Sequence, residues 1–286
     1  MKSKLSKLLM IQGTSSGSGK STLVTAFCRI FSDKGYQVSP FKAQNMSSNA
    51  YVIGKTSCEI SQAQALQAFA SRKQPDVRMN PILLKPLGNY RSKVILNGRF
   101  YSEMNAKDYY ENFVLQEGFS NVLNSLNSLR KGNDLVIIEG AGSPAEINIS
   151  KYDIANMLLA ETIHAPVLMT ADIERGGCFA SIVGSMRLLK TIHRDLVQGF
   201  LINKFRGDQS LLTPAIKSVE NITKKKILGV IPKIDFSLPA EDSLNGGGNP
   251  NTPKMTIESC NSQIDLIAKA IRDNVNIEKL MLQVIR

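Results

Sequence analysis

Short, continuous runs of aliphatic residues alternate with helical patterns along almost the whole chain. The first run, residues 8–11, is followed by Gly13 and then by apolar side chains at helical spacing from Leu23 to Phe31. Because these runs show no polar alternation, both of their faces must be buried. Strands of that kind occur in parallel sheets between two layers of helices. The sequence therefore predicts an α/β fold with an open, mostly parallel sheet and helices on both faces.

The same patterns predict where each element lies. Six strands are expected at residues 8–11, 37–41, 135–138, 166–170, 197–202 and 227–231. Helical patterns occupy residues 59–72, 107–129, 154–163, 181–190 and 211–222. Three prolines predict an irregular segment at 75–86, and a strand at an edge or on a lid is expected at 93–96. A Gly/Asn/Pro-rich linker at 244–253 is expected to separate a domain at 1–243 from an amphipathic C-terminal helix at 254–286.

The charge balance narrows the class of partner. Lys and Arg number 35 against 24 Asp and Glu, which gives a formal net charge of +11. Basic surfaces often bind nucleic acid, but the chain has no Trp, and its aromatic residues, 6% of the total, do not interleave a basic motif. We therefore interpret the charge as attraction for anionic small molecules, and no nucleic acid is expected as a partner.

Apolar runs and cysteines indicate the compartment. No apolar run approaches the ~20 residues that a membrane helix needs, so no membrane association is expected. The four cysteines are widely spaced and include no CxxC pair. That usage is typical of a reduced, cytoplasmic protein and argues against both a disulfide framework and a zinc site.

A Gly/Ser-rich loop joins the first strand to the first helix, and it carries the sharpest local signal. Such loops cradle phosphates with backbone N–H groups at a helix N-terminus. Lys20 would reach the β- and γ-phosphates of ATP, and the Ser21 hydroxyl would bind Mg²⁺. Thr14 stands where the usual pattern has Gly, so a loop that merely caps the helix is the alternative. The expected fold is of the P-loop NTPase type, with nucleotide contacts from Gly13, Thr14, Ser15, Ser16, Gly17, Ser18, Gly19, Lys20, Ser21 and Thr22.

Three more loops follow predicted strands, at the edge where open α/β sheets bind ligands. Glu139 ends a buried strand, where a carboxylate is costly unless it meets a metal or a partner, so we expect it to bind Mg²⁺ with Ser21. Lys42 follows the second strand and is expected to contact phosphate. Asn203 and Lys204 begin a segment that resembles the base-reading N-K-x-D loop, and Asn203 would face the adenine edge. Each of these residues also has a plainer interpretation, as a surface or turn residue.

The motifs around these residues are similar to those of known enzymes. The loop at residues 13–21 resembles the dethiobiotin synthetase-like branch of P-loop enzymes. A closer resemblance, to the cobyric acid synthase family, is carried by residues 40–46, 79–86, 139–148, 153–157, 172–177, 179–181 and 202–208. Because several separate stretches occur in the right order, this resemblance is much more specific than a P-loop alone.

The resemblance implies an ATP- and Mg²⁺-dependent amide ligase of cobalamin biosynthesis. Such enzymes convert the b, d, e and g carboxylates of adenosylcobyrinic acid a,c-diamide to amides, which gives adenosylcobyric acid. The expected route passes through an acyl phosphate that ammonia attacks, with Lys20, Lys42 and Glu139 as catalytic residues. Candidate contacts with the corrinoid substrate are Gln44, Asn45, Asn80, Lys85, Ser143, Glu146 and Arg175.

The sequence departs from the family in its nitrogen source. Family members carry a glutamine amidotransferase domain after the linker, and that chemistry needs a nucleophilic Cys flanked by Gly and a His base. Cys260 is the cysteine beyond the linker and has no flanking Gly, while His164 and His193 both lie upstream. We therefore expect no glutaminase domain here, with ammonia coming freely or from a separate glutaminase subunit. The resemblance also implies a homodimer.

Three other functions remain open. A dethiobiotin synthetase would use the same ATP chemistry, but that branch resembles Lys-Pro where this chain has Lys42 and Ala43. A partitioning-type ATPase that binds a surface would have a second Lys at the position of Ser15, and its membrane-binding helix would be more basic than residues 263–286. The third is a non-catalytic remnant that binds a nucleotide or a corrinoid.

Overall fold

A computed structural model describes residues 5–238 and 257–285 of the chain. Its strands are β1 (Lys7–Gly13), β2 (Val38–Phe41), β3 (Gln44–Met46), β4 (Ala50–Val52), β5 (Glu59–Ser61), β6 (Ile82–Gly88), β7 (Arg91–Leu96), β8 (Arg99–Asn105), β9 (Leu135–Glu139), β10 (Val167–Asp172), β11 (Val197–Phe205) and β12 (Lys226–Pro232). Its α-helices are α1 (Lys20–Asp33), α2 (Gln62–Ala70), α3 (Ala106–Asp108), α4 (Phe119–Lys131), α5 (Met157–Ile163), α6 (Cys178–Leu188), α7 (Thr191–Leu196), α8 (Thr213–Thr223), α9 (Ile257–Asn274) and α10 (Ile277–Gln283).

Six strands form one parallel sheet in the order β12-β11-β10-β1-β9-β2. The predicted open, parallel α/β sheet is confirmed, and the ends of its strands differ from the predicted ends by no more than three residues. β1 lies between β9 and β10, with Ile11 beside Glu139. The loops that follow these three strands therefore meet at one edge of the sheet, which is where such sheets bind ligands.

Helices cover both faces of this sheet because successive side chains of each strand point to opposite sides. In β1, Leu8 and Met10 face one helical layer, Leu9 and Ile11 face the other, and all four are buried. The first layer contributes Val122, Leu159, Ile182 and Val219 to the core. The second layer, from α1, α9 and α10, contributes Phe27, Ile264 and Leu280.

A second, mixed sheet has the order β3-β6-β7-β8, in which only β3 and β6 run parallel. The prediction of an irregular segment at 75–86 is wrong for its last part, because β6 begins at Ile82. The prolines are compatible with the strand, since Pro81 precedes it and Pro86 lies near its end, where the register shifts. The expected edge position of residues 93–96 is also wrong, because β7 lies between β6 and β8.

Two of the predicted helices are divided. The segment expected as one helix at 59–72 starts as β5, and Ser61 then caps α2 by accepting a hydrogen bond from the Ala63 N–H. The segment at 107–129 contains a π-helical stretch, Tyr109–Gly118, between α3 and α4.

The C-terminal segment is part of the same core. The helix expected at 254–286 is two helices, because Asn276 caps α10 by accepting from the Lys279 N–H. α9 packs on α1, where buried Arg29 lies 3.2 Å from Asp265. The predicted linker at 244–253 lies outside the described residues. None of the helices in the described ranges is long and apolar enough to span a membrane.

Candidate functional site

The Gly/Ser-rich loop leaves the N-terminus of α1 open toward a ligand. Gly19 precedes the helix with φ of 95°, and no described side chain caps the helix. A Cβ at Gly13 would lie 2.1 Å from the Ser18 Oγ, so a larger residue does not fit there. The Ser18 hydroxyl is buried without a hydrogen-bond partner among the described residues. A phosphate bound here would accept hydrogen bonds from backbone N–H groups of the first helical turn, which have no acceptor within the helix.

We call the Gly/Ser-rich loop and the N-terminus of α1 together the phosphate cradle. The other residues of the loop lie around it. Thr14 is tied to β10, because its N–H donates to the Thr170 carbonyl at 2.9 Å. Ser15, Ser16 and Gly17 are exposed at the tip, while Ser21 and Thr22 are half-buried in the first turn of α1.

Lys20 spans two of the loops. Its side chain is buried, and its Nζ donates to the carbonyl oxygens of Ser15 and Gly142, both at 3.0 Å. The first carbonyl belongs to the Gly/Ser-rich loop and the second to the loop after β9. The ammonium therefore lies over the cradle, where phosphate oxygens would offer it stronger, charge-assisted hydrogen bonds.

Glu139 contacts two of the other predicted site residues, Ser21 and Lys42. It is fully buried at the carboxyl end of β9. Its Oε1 accepts hydrogen bonds from the Ser21 Oγ at 2.8 Å and from the Lys42 Nζ at 2.7 Å. A buried carboxylate needs such a charge partner, and Lys42 is itself only 4% exposed. The structure thus brings Lys20, Ser21, Lys42 and Glu139 to one edge of the sheet.

The donor set around Glu139 fits Mg²⁺. A hydroxyl oxygen and a carboxylate oxygen 2.8 Å apart, beside a phosphate cradle, are the hard oxygen ligands that this ion prefers. Mg²⁺ usually takes one or two protein ligands and fills its other positions with water and phosphate oxygens. Ser21 and Glu139 would hold the ion, and the ammonium of Lys42 lies against the same carboxylate oxygen.

Two glutamines of α2 also contact Glu139 and were missed in the sequence. The Nε2 atoms of Gln64 and Gln67 both donate to Glu139 Oε2, and both side chains are fully buried. They therefore orient the carboxylate so that Oε1 faces Ser21 and Lys42. The sequence signal that could have identified them is the spacing of Gln64 and Gln67, three residues apart in an Ala/Leu-rich helix. Apolar residues would be expected at these positions.

Gln67→Leu is expected to weaken metal binding by about tenfold, because groups that orient a metal ligand typically contribute that much. The measurement is Mn²⁺ affinity by electron paramagnetic resonance with ADP present. Gln62→Leu is the matched control, since Gln62 lies on the same helix and is half-exposed. Equal Mn²⁺ affinities for the two variants would contradict this role of Gln67.

Asn203 and Lys204, at the end of β11, support the Gly/Ser-rich loop from below. The Asn203 Nδ2 donates to the Ser18 carbonyl at 3.0 Å, and its Oδ1 accepts from the Lys204 N–H. A Cβ at Gly19 would lie 2.0 Å from that Nδ2, so the close approach requires glycine. The Lys204 Nζ donates to the Gly17 carbonyl at 2.7 Å. These contacts give both residues a role in holding the loop, and the expected adenine contact of Asn203 stays a prediction.

Asp172 lies between Lys204 and a second basic residue, Arg175. Its Oδ2 accepts from Lys204 Nζ at 2.8 Å and lies 3.8 Å from Arg175 Nε. Desolvation would raise the pKa of Asp172, but Lys204, the Glu174 N–H and Arg175 together lower it below its usual value. The Arg175 side chain is 76% exposed and lies beside Gly17 at the outer rim of the loop.

Three of the predicted substrate contacts line one cavity of about 270 Å³, which we call the inner cavity. Its walls include Gln44, Tyr110, Gly142, Ser143 and Glu146. Because the Gly142 carbonyl accepts from Lys20, the inner cavity adjoins the phosphate cradle.

Of the other four predicted contacts, Arg175 lies at the rim of the loop, and the remaining three are engaged within the protein. The buried Asn45 donates to Ser61 and to Gln64 Oε1, which links it to the Glu139 cluster. The buried Asn80 donates to the Lys42 carbonyl at 3.1 Å and accepts from the Ser61 N–H, so it positions the backbone of Lys42. Lys85, on β6, pairs with Glu59. None of the three lines the inner cavity.

Asp153 is a half-buried carboxylate in the wall of the inner cavity. Burial raises its pKa from 3.8 to about 6, although hydrogen bonds from Asn156 and from nearby backbone N–H groups partly oppose the rise. The folded state therefore holds this proton more tightly than the unfolded state. The contribution to stability is complete below about pH 4 and is lost as the pH rises through about 6.

Asp153→Asn is expected to stabilise the protein at pH 8 by up to about 3 kcal/mol and to change little at about pH 3, below both pKa values. The amide keeps the shape of the neutral acid and carries no charge to desolvate. Denaturant unfolding at both pH values measures the difference, with Asp273→Asn on the exposed face of α9 as the control. A gain that is the same at both pH values would contradict the assignment.

Comparison with known proteins identifies relatives of this chain. Residues 9–244 match the family described as the CobQ/CobB/MinD/ParA nucleotide binding domain. The chain is 54% identical over 240 residues to the probable cobyric acid synthase of Thermococcus kodakarensis, an alignment that covers 84% of this chain and 49% of that protein. It is 51% identical over 241 residues to the cobyric acid synthase of Dehalococcoides mccartyi, covering 84% and 47%. The chain thus spans about half the length of the curated relatives it matches.

Solved structures were also compared. The signal recognition particle receptor FtsY from Elizabethkingia anophelis, in complex with GDP, aligns with a TM-score of 0.45 and 14% identity, over 80% of this chain and 58% of that chain.

Proposed function

We propose, since this chain belongs to the CobQ/CobB/MinD/ParA nucleotide binding domain family, that it is the ATP-dependent synthetase part of a cobyric acid synthase. It would amidate the b, d, e and g carboxylates of adenosylcobyrinic acid a,c-diamide and so produce adenosylcobyric acid. The observation that carries the proposal is the convergence of Ser21 and Lys42 on buried Glu139, beside the Lys20 cradle. Relatives that are about half identical over this region bear the name cobyric acid synthase.

The reaction needs activation, because a carboxylate does not condense with ammonia at neutral pH. An oxygen of the substrate carboxylate attacks the γ-phosphorus of ATP, ADP leaves, and an acyl phosphate forms. The ammonia nitrogen then attacks the acyl carbon, the bond from that carbon to the phosphate oxygen breaks, and nitrogen loses a proton as the amide forms. Both steps place charge on phosphoryl oxygens, so positioning and electrostatic stabilisation supply most of the catalysis.

Each residue of the cluster has a part in this scheme. Lys20 neutralises the transferring phosphoryl group, because its ammonium already lies over the cradle. Mg²⁺, when bound by Ser21 and Glu139, would spread the negative charge of the triphosphate. The ammonium of Lys42, which donates to Glu139, can donate instead to the substrate. It would then orient the attacking carboxylate of the substrate. Asn203 and Lys204 hold the loop in shape.

Two further parts of the proposal concern the source of ammonia and the oligomeric state of the chain. We propose that ammonia arrives freely or from a separate glutaminase subunit, and that the chain forms a homodimer. The homodimer is what the family resemblance implies, whereas the ammonia source rests on a departure from the family, because Cys260 has no flanking Gly.

One incubation tests the proposed function. The chain is mixed with ATP, Mg²⁺ and adenosylcobyrinic acid a,c-diamide, with either ammonium or glutamine as nitrogen donor, and mass spectrometry counts the amides formed. Four added amides with ammonium and none with glutamine alone is the expected result. Failure with both donors, while ATP still binds, would contradict the proposal.

A further inference from the structure

A second cavity, which we call the outer cavity, opens on the mixed sheet. It has a volume of about 270 Å³ and lies between β6, β7, β8 and the residues that follow β8. Its walls are largely apolar and aromatic, with Met46, Leu84, Val94, Met104 and Tyr110 among them. Apolar concavities with few polar groups are typical of small-molecule sites.

The outer cavity adjoins the inner cavity. Met46 and Tyr110 line both. Tyr109 also joins them, because it lines the outer cavity and its hydroxyl donates to Gln44 of the inner cavity at 2.7 Å. The inner cavity is lined in part by Gly142, whose carbonyl accepts from Lys20, so the two adjoining cavities lie between the mixed sheet and the phosphate cradle. Together the cavities fall within the ~300–1,000 Å³ of typical ligand sites.

Exposed apolar side chains extend the outer cavity onto the surface. Tyr90, in the turn between β6 and β7, lines its mouth and is 93% exposed. Met46, which also lines the outer cavity, is 47% exposed. Exposed apolar side chains at the mouth of an apolar cavity offer an apolar ligand a surface to cover.

We propose that the outer cavity and Tyr90 bind the apolar edge of the corrin ring, while one acid-bearing side chain of the ring passes through the inner cavity to Lys42 and Lys20. This inference rests on the proposed function and assigns it an acceptor site. A corrin ring carries methyl groups and charged or amidated side chains on its periphery, which matches an apolar wall joined to a polar channel. The ring is larger than either cavity, so only one edge enters, and the aromatic face of Tyr90 covers part of the rest.

Equilibrium dialysis of adenosylcobyrinic acid a,c-diamide without ATP, followed by its visible absorbance, tests the site directly. Met104→Gln and Tyr90→Asn are each expected to raise the Kd of the corrinoid by about five- to tenfold, because each removes an apolar contact. Asn accepts the left-handed backbone of Tyr90, whose φ is 57°, so that variant keeps the turn. The Kd of an ATP analogue should not change.

Phe100→Asn is the matched control, because Phe100 is an exposed aromatic residue of β8 that does not line either cavity. It should bind the corrinoid as the unmodified chain does. If the unmodified chain amidates the corrinoid but Met104→Gln and Tyr90→Asn keep its Kd, the acceptor site is wrong and the proposed function stands. If the unmodified chain neither binds nor amidates the corrinoid, the proposed function fails, and the acceptor site fails with it.

Discussion

Replacing Lys20 with alanine is expected to lower ATP-dependent turnover by about a thousandfold or more and to leave the fold intact. The ammonium is the charged group that lies over the cradle and contacts loops from two strands. Its loss leaves the charge that develops on the transferring phosphoryl group without its closest counterion. The partners it leaves behind are two carbonyl oxygens at a ligand-facing edge, where water replaces the lost donor at little cost.

Turnover with ammonium and the a,c-diamide, together with a thermal unfolding curve, measures this effect. Lys217→Ala is the control, because Lys217 is an exposed lysine on α8, away from the loop. Normal turnover by the Lys20 variant would show that the loop does not hold the triphosphate as proposed. If the Lys20→Ala variant loses both turnover and the folded state, Lys20→Arg is measured instead. That variant keeps the charge, so it separates the effect on catalysis from the effect on folding.

Replacing Glu139 with glutamine is expected to have two separate effects. Metal-dependent turnover should fall by about a hundredfold or more, because the carboxylate that would hold Mg²⁺ is gone. The free energy of unfolding should also fall by about 3–5 kcal/mol, because the buried ammonium of Lys42 loses the carboxylate that lies 2.7 Å away. Both groups of the pair are almost fully buried, so water cannot replace the missing charge.

The double variant Lys42→Met/Glu139→Gln separates the two effects. Removing both charges should restore most of the stability, since apolar replacement of a buried pair is often neutral. It should not restore turnover or Mn²⁺ binding. A double variant as unstable as Glu139→Gln alone would show that the pair does not interact as its 2.7 Å separation indicates.

The sequence was sufficient to predict the parallel sheet and the phosphate loop. Aliphatic runs without polar alternation are typical of parallel sheets covered on both faces, and because parallel strands run in one direction, their carboxyl ends lie at one edge. Lys20, Ser21 and Glu139 could be identified because each stands at a fixed offset from the end of a strand or the start of a helix. Lys42 was found for the same reason, and all four meet in the structure.

The rest of the site depends on contacts between residues far apart in the chain. Gln67 touches Glu139 across 72 positions of sequence, and Asn203 touches Ser18 across 185. No local pattern carries such contacts, so the glutamines were missed and the support that Asn203 gives to the loop was not predicted. The hydrogen bonds of Asn45 to Gln64 and of Asn80 to the Lys42 carbonyl were likewise not predicted, and the expected substrate contacts of both residues stay predictions.

What the sequence determined by itself is the chemistry available at the sheet edge: a phosphate cradle, two lysines and a carboxylate. Residue type and distance from a strand end are local properties, and they are enough for that. Only the tertiary structure decided which oxygen of Glu139 faces Ser21, and that the mixed sheet places an apolar cavity beside the cradle. These features arise when separate segments pack together, because side-chain orientation and cavity shape depend on every neighbour at once.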